Sequence, residues 1–173
     1  MPPASNEPAP KQHAIVYYSR NGHTDRLARQ LAETLDADLF RITTARYTGN
    51  TLGYLHAGID SLIGRIPIIA PIPNLSGYAS VSLGAPIWTS FPATPLRAYL
   101  TSHPKLPDAV GMFTTSGGNA SQDKAFSMAS KLAGHPFVVT LNIPDDLGPT
   151  ETNRRVSDYC AALMSAAHAA EPA

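Results

Sequence analysis

Residues 13–24 read His-Ala-Ile-Val-Tyr-Tyr-Ser-Arg-Asn-Gly-His-Thr and carry the strongest structural signal in the chain. Their apolar, β-branched and aromatic first half is typical of a buried strand, and the polar second half is typical of a turn. An amphipathic helix follows, because apolar residues then recur at helical spacing: Leu27, Ala28, Leu31, Ala32 and Leu35. A short polar loop between a strand and a helix can hold a phosphate, since the first backbone N–H groups of a helix are unpaired and its dipole favours an anion.

The size of the chain predicts one domain, and its composition excludes several classes of protein. The chain has 173 residues, a formal net charge of zero and one cysteine, so an internal disulfide is impossible. No basic stripe favours nucleic acid, no apolar run is long enough to span a membrane, and scattered histidines give no metal site. We expect residues 1–12 to be a disordered leader, residues 13–173 to form the domain, and the protein to be cytoplasmic.

Strand-like runs alternate with helical periodicities along the chain, which predicts a parallel sheet covered by helices. The strands are expected near residues 13–18, 38–42, 80–83, 109–113 and 137–141. The helices are expected near residues 23–35, 52–63, 95–100, 125–132 and 150–167, the last capped by Thr150 or Thr152. Cys160 lies on an apolar helical stripe and is expected to be a small buried side chain.

The loop Ser19-Arg20-Asn21-Gly22-His23-Thr24 resembles the phosphate loop of flavodoxins, which reads roughly Ser/Thr-x-Thr-Gly-Asn-Thr. Ser19, Gly22 and Thr24 match that pattern, whereas Asn21 and His23 depart from it. The resemblance implies a three-layer sandwich around a five-stranded parallel sheet of order 2-1-3-4-5, without the insertion of long-chain flavodoxins. It also implies FMN as the cofactor, with its phosphate in this loop and Arg20 as an optional source of positive charge.

Two further loops strengthen the resemblance. Residues 84–92 contain the Gly-x-Pro-Ile-Trp pattern of one flavodoxin subfamily, which implies that Pro86, Ile87, Trp88 and Thr89 lie against the flavin ring. Residues 114–119 resemble the family's Thr-x-Gly-Gly stretch, which implies that Thr115, Ser116, Gly117 and Gly118 contact the polar edge of the ring. In a sheet of this order, the loops after the first, third and fourth strands border the point where strand order reverses, and ligands bind there.

The resemblance implies a redox function but leaves the role open. Flavodoxins proper are acidic one-electron carriers, whereas neither residues 84–92 nor residues 114–122 contain an Asp or Glu, and the net charge is zero. A reduced, negatively charged flavin should therefore be less destabilised here. An FMN-dependent NAD(P)H oxidoreductase of the quinone or flavin reductase type is then as plausible as a carrier, with a redox protein, or NAD(P)H and a small electron acceptor, as partner. A flavin-free interaction module of the same fold is the remaining alternative.

Two segments outside the proposed site are also informative. Residues 66–73, Ile-Pro-Ile-Ile-Ala-Pro-Ile-Pro, are very apolar, and their prolines exclude a central strand. The segment either packs across the second helix, as we expect, or forms an exposed contact surface, where a homodimer would form. Asp145 and Asp146 follow the fifth strand and are expected to lie in a solvated turn.

Overall fold

The computed structural model describes residues 11–47, 51–118 and 121–170. Most of the predicted leader (residues 1–10) and Asn119 of the third predicted loop lie outside these ranges. The strands are β1 His13–Tyr18, β2 Ala37–Ile42, β3 Ser80–Trp88, β4 Phe91–Pro92, β5 Ala109–Ser116 and β6 Val139–Pro144. The helices are α1 His23–Leu35, α2 Thr51–Ile63, α3 Thr94–Thr101, α4 Asp123–Ala133 and α5 Pro149–Ala170, with a 3₁₀ helix at Ala45–Tyr47.

Five strands form a parallel sheet of order β2-β1-β3-β5-β6, and the two-residue β4 pairs antiparallel with the end of β3. Apart from β4, this is the predicted order 2-1-3-4-5, which is confirmed. The chain moves from β1 outward to β2 and then returns past β1 to β3. The order therefore reverses at β1 and β3, whose carboxyl ends define the expected ligand edge.

Alternating side chains of the strands divide the core between two faces of the sheet. Ile15 and Tyr17 of β1 pack with the buried sides of α1 and α5. Val16 and Tyr18 point the other way and pack with residues of α2, α3 and α4. The result is the predicted three-layer sandwich. Cys160 is 1 % exposed among the α5 residues of the first face, which confirms its structural interpretation.

Two glycines leave room for large aromatic rings on the face of the sheet that packs against α1 and α5. A Cβ added at Gly84 would lie 2.0 Å from Cζ of Phe113, and one added at Gly111 would lie 2.3 Å from the hydroxyl oxygen of Tyr159. That hydroxyl donates a hydrogen bond to Oγ of Ser82 at 2.9 Å. Ring packing against bare backbone therefore requires glycine at both positions.

Several predicted boundaries were wrong. Residues 84–88 and 114–116, predicted as loops, continue β3 and β5. β6 begins at Val139, two residues later than expected. Helix α5 begins at Pro149, and the amide of Thr152 already donates to the carbonyl of Gly148 at 3.0 Å. Thr150 and Thr152 therefore lie inside the helix and do not cap it, because proline at the first helical position starts the helix earlier.

The expected packing of segment 66–73 across the second helix was also largely wrong. Ile66, Ile68 and Ile72 are exposed, whereas Ile69 packs against the core and Pro67 is buried. One antiparallel bridge, between Thr43 and Ala70, fastens the segment to the chain after β2. No helix in the described ranges has the length and apolar character needed to cross a membrane.

Candidate functional site

The carboxyl ends of β1, β3 and β5 surround a cleft of about 160 Å³. Its lining comprises Arg20, Asn21, His23, Pro86, Ile87, Trp88, Thr115, Ser116, Gly117 and Asp145. All three predicted loops therefore contribute to one cleft, and only Asp145 is additional to the predicted residues. That these residues contact a flavin stays a prediction.

Helix α1 begins beside this cleft in a conformation suited to an anion. Gly22 precedes the helix with φ +91° and ψ −11°, a left-handed conformation that glycine adopts without strain. Its amide donates to Oγ of the buried Ser19 at 3.2 Å. The first i to i−4 bond of the helix runs from the amide of Arg26 to the carbonyl of Gly22 at 3.0 Å. The helix itself therefore leaves the amides of residues 23–25 unpaired, as an anion site requires.

The side chain of Thr24 makes a structural contact that the sequence did not predict. Its side chain is fully buried, and its hydroxyl is hydrogen-bonded to that of Thr115 at 2.8 Å. The hydroxyl thus joins the start of α1 to the end of β5 and does not face the cleft. The backbone of the loop, rather than this side chain, is what the structure offers to a phosphate.

The third loop is fixed by a side chain that the sequence analysis did not identify. Asn142 of β6 donates from Nδ2 to Oγ of Ser116 at 3.1 Å and accepts from Oγ1 of Thr114 at 2.9 Å. Ser116 in turn donates to the carbonyl of Gly118 at 2.8 Å. A Cβ added at Gly117 or Gly118 would meet no atom within 4 Å, so the space beside this backbone is open. Gly118 itself does not line the cleft.

Trp88 stands at the end of β3 between two tyrosine rings. The Tyr18 and Tyr47 rings meet its indole edge to face, with centroids 5.7 and 5.1 Å away. Thr89 and Ser90 have φ of +49° and +72°, which is the pattern of a type I′ hairpin turn joining β3 to β4. Thr89 faces α2, where its hydroxyl donates to Oγ of Ser61 at 3.0 Å, and it does not line the cleft.

Tyr47 is held in place by a buried carboxylate. Its hydroxyl donates to Oδ2 of Asp60 at 2.9 Å and lies 2.7 Å from Oγ1 of Thr94. Asp60 is 2 % exposed and also accepts hydrogen bonds from the guanidinium of Arg46. The hydrogen bond from Arg46 is the largest cause that lowers the pKa of Asp60 from its usual value. Burial raises the pKa of Tyr47, so a neutral phenol packs against Trp88.

A second, larger cleft of about 460 Å³ adjoins the first, and the two share Arg20 and Asn21. Its remaining lining comprises Tyr18, Ser19, Arg41, Ile42, Thr43, Thr44 and Tyr47. Arg41 donates to the carbonyl of Ser19 at 3.2 Å, and its guanidinium lies 3.7 Å from Asp25. The lining residues at the end of β2 and after it were not predicted from the sequence. The available signal was the position of β2 beside β1, which brings its carboxyl end to the same edge of the sheet.

Asp145 and Asp146 lie in an exposed turn after β6, as predicted, and Asp145 has contacts that the sequence did not predict. Its carboxylate accepts a hydrogen bond from Nδ1 of His23 at 2.8 Å, and its amide donates to the carbonyl of Ser116 at 2.8 Å. Asp145 is exposed and also lines the cleft. Residues 84–92 and 114–122 contain no carboxylate, yet the fold brings one to this cleft from the β6–α5 connection.

Comparison with known proteins agrees with this geometry. The family model described as Flavodoxin matches residues 12–135, which is most of the chain. The chain belongs to the flavodoxin family. FMN is the cofactor of this family, as the resemblance of the phosphate loop implied. No curated protein sequence matches the chain significantly.

Solved structures with the same fold share little sequence with the chain. A flavoprotein from Lactobacillus acidophilus NCFM, crystallised in complex with FMN, is 22% identical, with a TM-score of 0.63 over 84% of this chain and 99% of that one. The flavodoxin, WrbA-like protein from Agrobacterium tumefaciens is 14% identical, with a TM-score of 0.61 over 94% and 100%. Rubredoxin oxygen:oxidoreductase from Desulfovibrio gigas is 16% identical, with a TM-score of 0.56, and the match covers 92% of this chain but 36% of that larger chain. These likenesses show the fold.

The donor set of the site fits FMN. A phosphate needs N–H donors and positive charge, which the start of α1 and Arg20 supply beside the cleft. A flat ring with a polar edge needs an apolar wall and small polar groups, which Ile87 and Trp88 on one side and Thr115 to Gly117 on the other provide.

Proposed function

We propose that this protein binds FMN at the edge formed by β1, β3 and β5 and transfers electrons through it. The observation that carries the proposal is the convergence of three separate loops on one cleft beside the unpaired amides at the start of α1. A strand–turn–helix that served only as structure would not require a tryptophan and an open glycine backbone at the same cleft.

Bound FMN supplies the redox chemistry, and the chain's residues hold and orient it. Residues 19–25 are proposed to bind the phosphate, with their backbone amides as the main donors. Trp88 and the backbone of residues 115–118 are proposed to contact the flavin ring. The smaller cleft measures about 160 Å³, whereas small-molecule sites usually measure about 300–1,000 Å³. FMN would therefore also use part of the larger cleft, where Arg41, Thr43 and Thr44 lie.

Of the two redox roles, the charges around the clefts favour an oxidoreductase over a carrier. Arg20 and Arg41 line the larger cleft, whereas Asp25, 3.7 Å from Arg41, lines neither cleft, and the carboxylate of Asp145 at the smaller one is hydrogen-bonded to His23. Positive groups near a flavin stabilise the negative charge that it gains on reduction, which favours exchange of electrons in pairs. NAD(P)H and a small electron acceptor are therefore the proposed partners. The proposed location of the protein is the cytoplasm.

Anaerobic reduction of the FMN-loaded protein tests this role. NADH or NADPH should bleach the flavin absorbance, and added quinone or free flavin should restore it over many turnovers. Bleaching by dithionite but by neither nicotinamide would indicate a carrier. Absence of FMN binding would favour the remaining alternative, a flavin-free interaction module.

A matched pair of variants tests the effect of charge. Arg41→Gln should lower the midpoint potential of the bound flavin, because it removes a cation from the cleft wall. Lys105→Gln should not, because Lys105 precedes β5 at the opposite edge of the sheet. Equal potentials in the two variants would contradict the proposed role of Arg41.

A further inference from the structure

An exposed apolar face lies on the outer side of α2 and the segment after it. Its members are Ile59, Leu62, Ile63, Ile66, Ile68 and Ile72, with exposed fractions from 46% to 93%. The first three lie at spacing i, i+3, i+4 and so form one stripe of the helix. Gly64 then ends the helix with φ +71°, and the amide of Arg65 donates back to the carbonyl of Asp60 at 3.0 Å. This is a Schellman-type helix end, and the exposed isoleucines at positions 66, 68 and 72 follow it directly in the chain.

The inner side of α2 is fixed, so the helix cannot turn to bury this stripe. Asp60 and Ser61 are both 2 % exposed. Asp60 is bound by Arg46 and Tyr47, and Ser61 donates to the carbonyl of Trp88 at 2.9 Å. The buried Arg97 donates to the carbonyl of Ser61 at 3.0 Å. Rotation of α2 would break all of these hydrogen bonds.

The area of the apolar face is at the upper end of the range that the surface of a monomer usually shows. At the observed exposures its six side chains present on the order of 600 Å² of apolar surface. The largest apolar patch of a monomer usually measures about 300–600 Å², and each partner in a stable interface buries about 800 Å². This face therefore supplies most of the area that each partner in a stable dimer buries, and contacts around it would supply the rest.

We propose that the apolar face binds a second copy of this chain in a two-fold symmetric homodimer. A self-complementary contact pairs this apolar surface with an identical one. The only charged residues in positions 59–72 are Asp60, which is buried against Arg46, and the exposed Arg65. The apolar face therefore offers few charges to a redox partner that docks by charge complementarity. It offers only one cation to an anionic membrane.

The prolines of the segment determine how the two copies meet. Pro67, Pro71 and Pro73 have no backbone N–H, so main-chain pairing of the segment with a strand of another chain is disfavoured. The contact is therefore made by side chains. Residues 65–70 and 43–46 also line a groove of about 570 Å³, which shares Thr43 and Thr44 with the larger cleft. The second copy would lie beside the candidate site without entering the smaller cleft.

Sedimentation equilibrium of the full chain tests the dimer. The wild-type protein should have twice the monomer mass of 18.4 kDa. The double variant Leu62→Asp, Ile68→Asp should have the monomer mass with an unchanged circular dichroism spectrum, because both side chains are exposed. Val138→Asp is the matched control, since Val138 is a 45% exposed apolar residue outside this face, and it should remain dimeric.

Three results would overturn the proposal. A wild-type protein that is monomeric up to its highest soluble concentration would exclude a second copy as the occupant. A double variant that folds and still dimerises would place the interface elsewhere. A monomer whose apolar face binds lipid vesicles would assign the face to a membrane. None of these results depends on FMN, so the dimer can fail while the proposed redox function stands.

Discussion

His23 and Asp145 form a hydrogen bond of 2.8 Å between residues that are 122 positions apart in the chain. The bond joins the first residue of α1 to the connection between β6 and α5. The buried pair Thr24 and Thr115 makes a second tie, from α1 to β5. The start of α1 is thus fastened to two other parts of the ligand edge, which keeps the loops in place before a ligand arrives.

Replacing Thr24 by Val tests the buried tie. The variant keeps the shape of the side chain but leaves the Thr115 hydroxyl without this partner, and we expect a loss of about 1–3 kcal/mol in the free energy of unfolding. Thr34→Val is the control, because the Thr34 hydroxyl only contacts the carbonyl of Gln30 on the exposed side of the same helix. Urea denaturation measures both. Equal free energies of unfolding for the two variants would mean that the hydrogen bond between Thr24 and Thr115 does not stabilise the fold.

Replacing Gly84 by Ala tests the packing at the centre of the sheet. The new methyl group would lie 2.0 Å from the Phe113 ring, and overpacking of this kind costs about 1–3 kcal/mol or more. Gly58→Ala is the matched control in α2, where a Cβ meets no atom within 4 Å. It should raise stability by up to about 1 kcal/mol through helix propensity. Similar thermal unfolding midpoints for the two variants would contradict the packing described.

Replacing Gly22 and Gly117 by Ala tests two different roles of glycine at the ligand edge, which are backbone conformation and open space for a ligand. Gly22→Ala should destabilise the free protein by about 1–2 kcal/mol, since Gly22 has φ +91°. Gly117→Ala should leave stability unchanged, because the space beside it is open, yet it should weaken FMN binding if the ring lies there. Calorimetric titration with FMN, beside thermal unfolding, distinguishes the two. Unchanged FMN affinity in Gly117→Ala would remove this loop from the site.

Asp60 makes stability depend on pH. Its pKa is lower in the folded protein, chiefly through Arg46, so its stabilising effect is complete above its pKa in the unfolded chain. That effect is lost as pH falls through the lower folded pKa. Asp60→Asn should therefore be less stable than the wild type at pH 7, with the difference shrinking below about pH 4. A difference that stays constant from pH 7 to pH 3 would mean that the charge of Asp60 is not what stabilises the fold.

The sequence predicted those elements whose local pattern agrees with their environment. Helix α1 was predicted at its observed bounds because a full stripe of apolar residues faces the core. The end of β3 was missed because Gly84 and Pro86 are typical of loops. Pro86 lies beyond the last residue of β3 that pairs with β1, so the strand has one sheet neighbour fewer there and tolerates a proline.

The candidate site was predicted only where its residues are contiguous in sequence. The three loops have recognisable composition, whereas Arg41, Asn142 and Asp145 each reach the site through strand order. Asp145 has the local context of an ordinary turn, and nothing near it in sequence indicates His23. For segment 66–73, hydrophobicity alone could not show whether the isoleucines pack inside or face outward.

Titration of the purified protein with FMN and, in parallel, with riboflavin tests the central claim most directly. Both ligands have the same ring, but only FMN has the phosphate that the start of α1 is proposed to bind. We predict saturable binding of FMN with quenching of its fluorescence, and binding of riboflavin that is at least tenfold weaker, which is about 1.4 kcal/mol. Equal affinities would contradict the phosphate site, and binding of neither ligand would contradict the assignment of this cleft to a flavin.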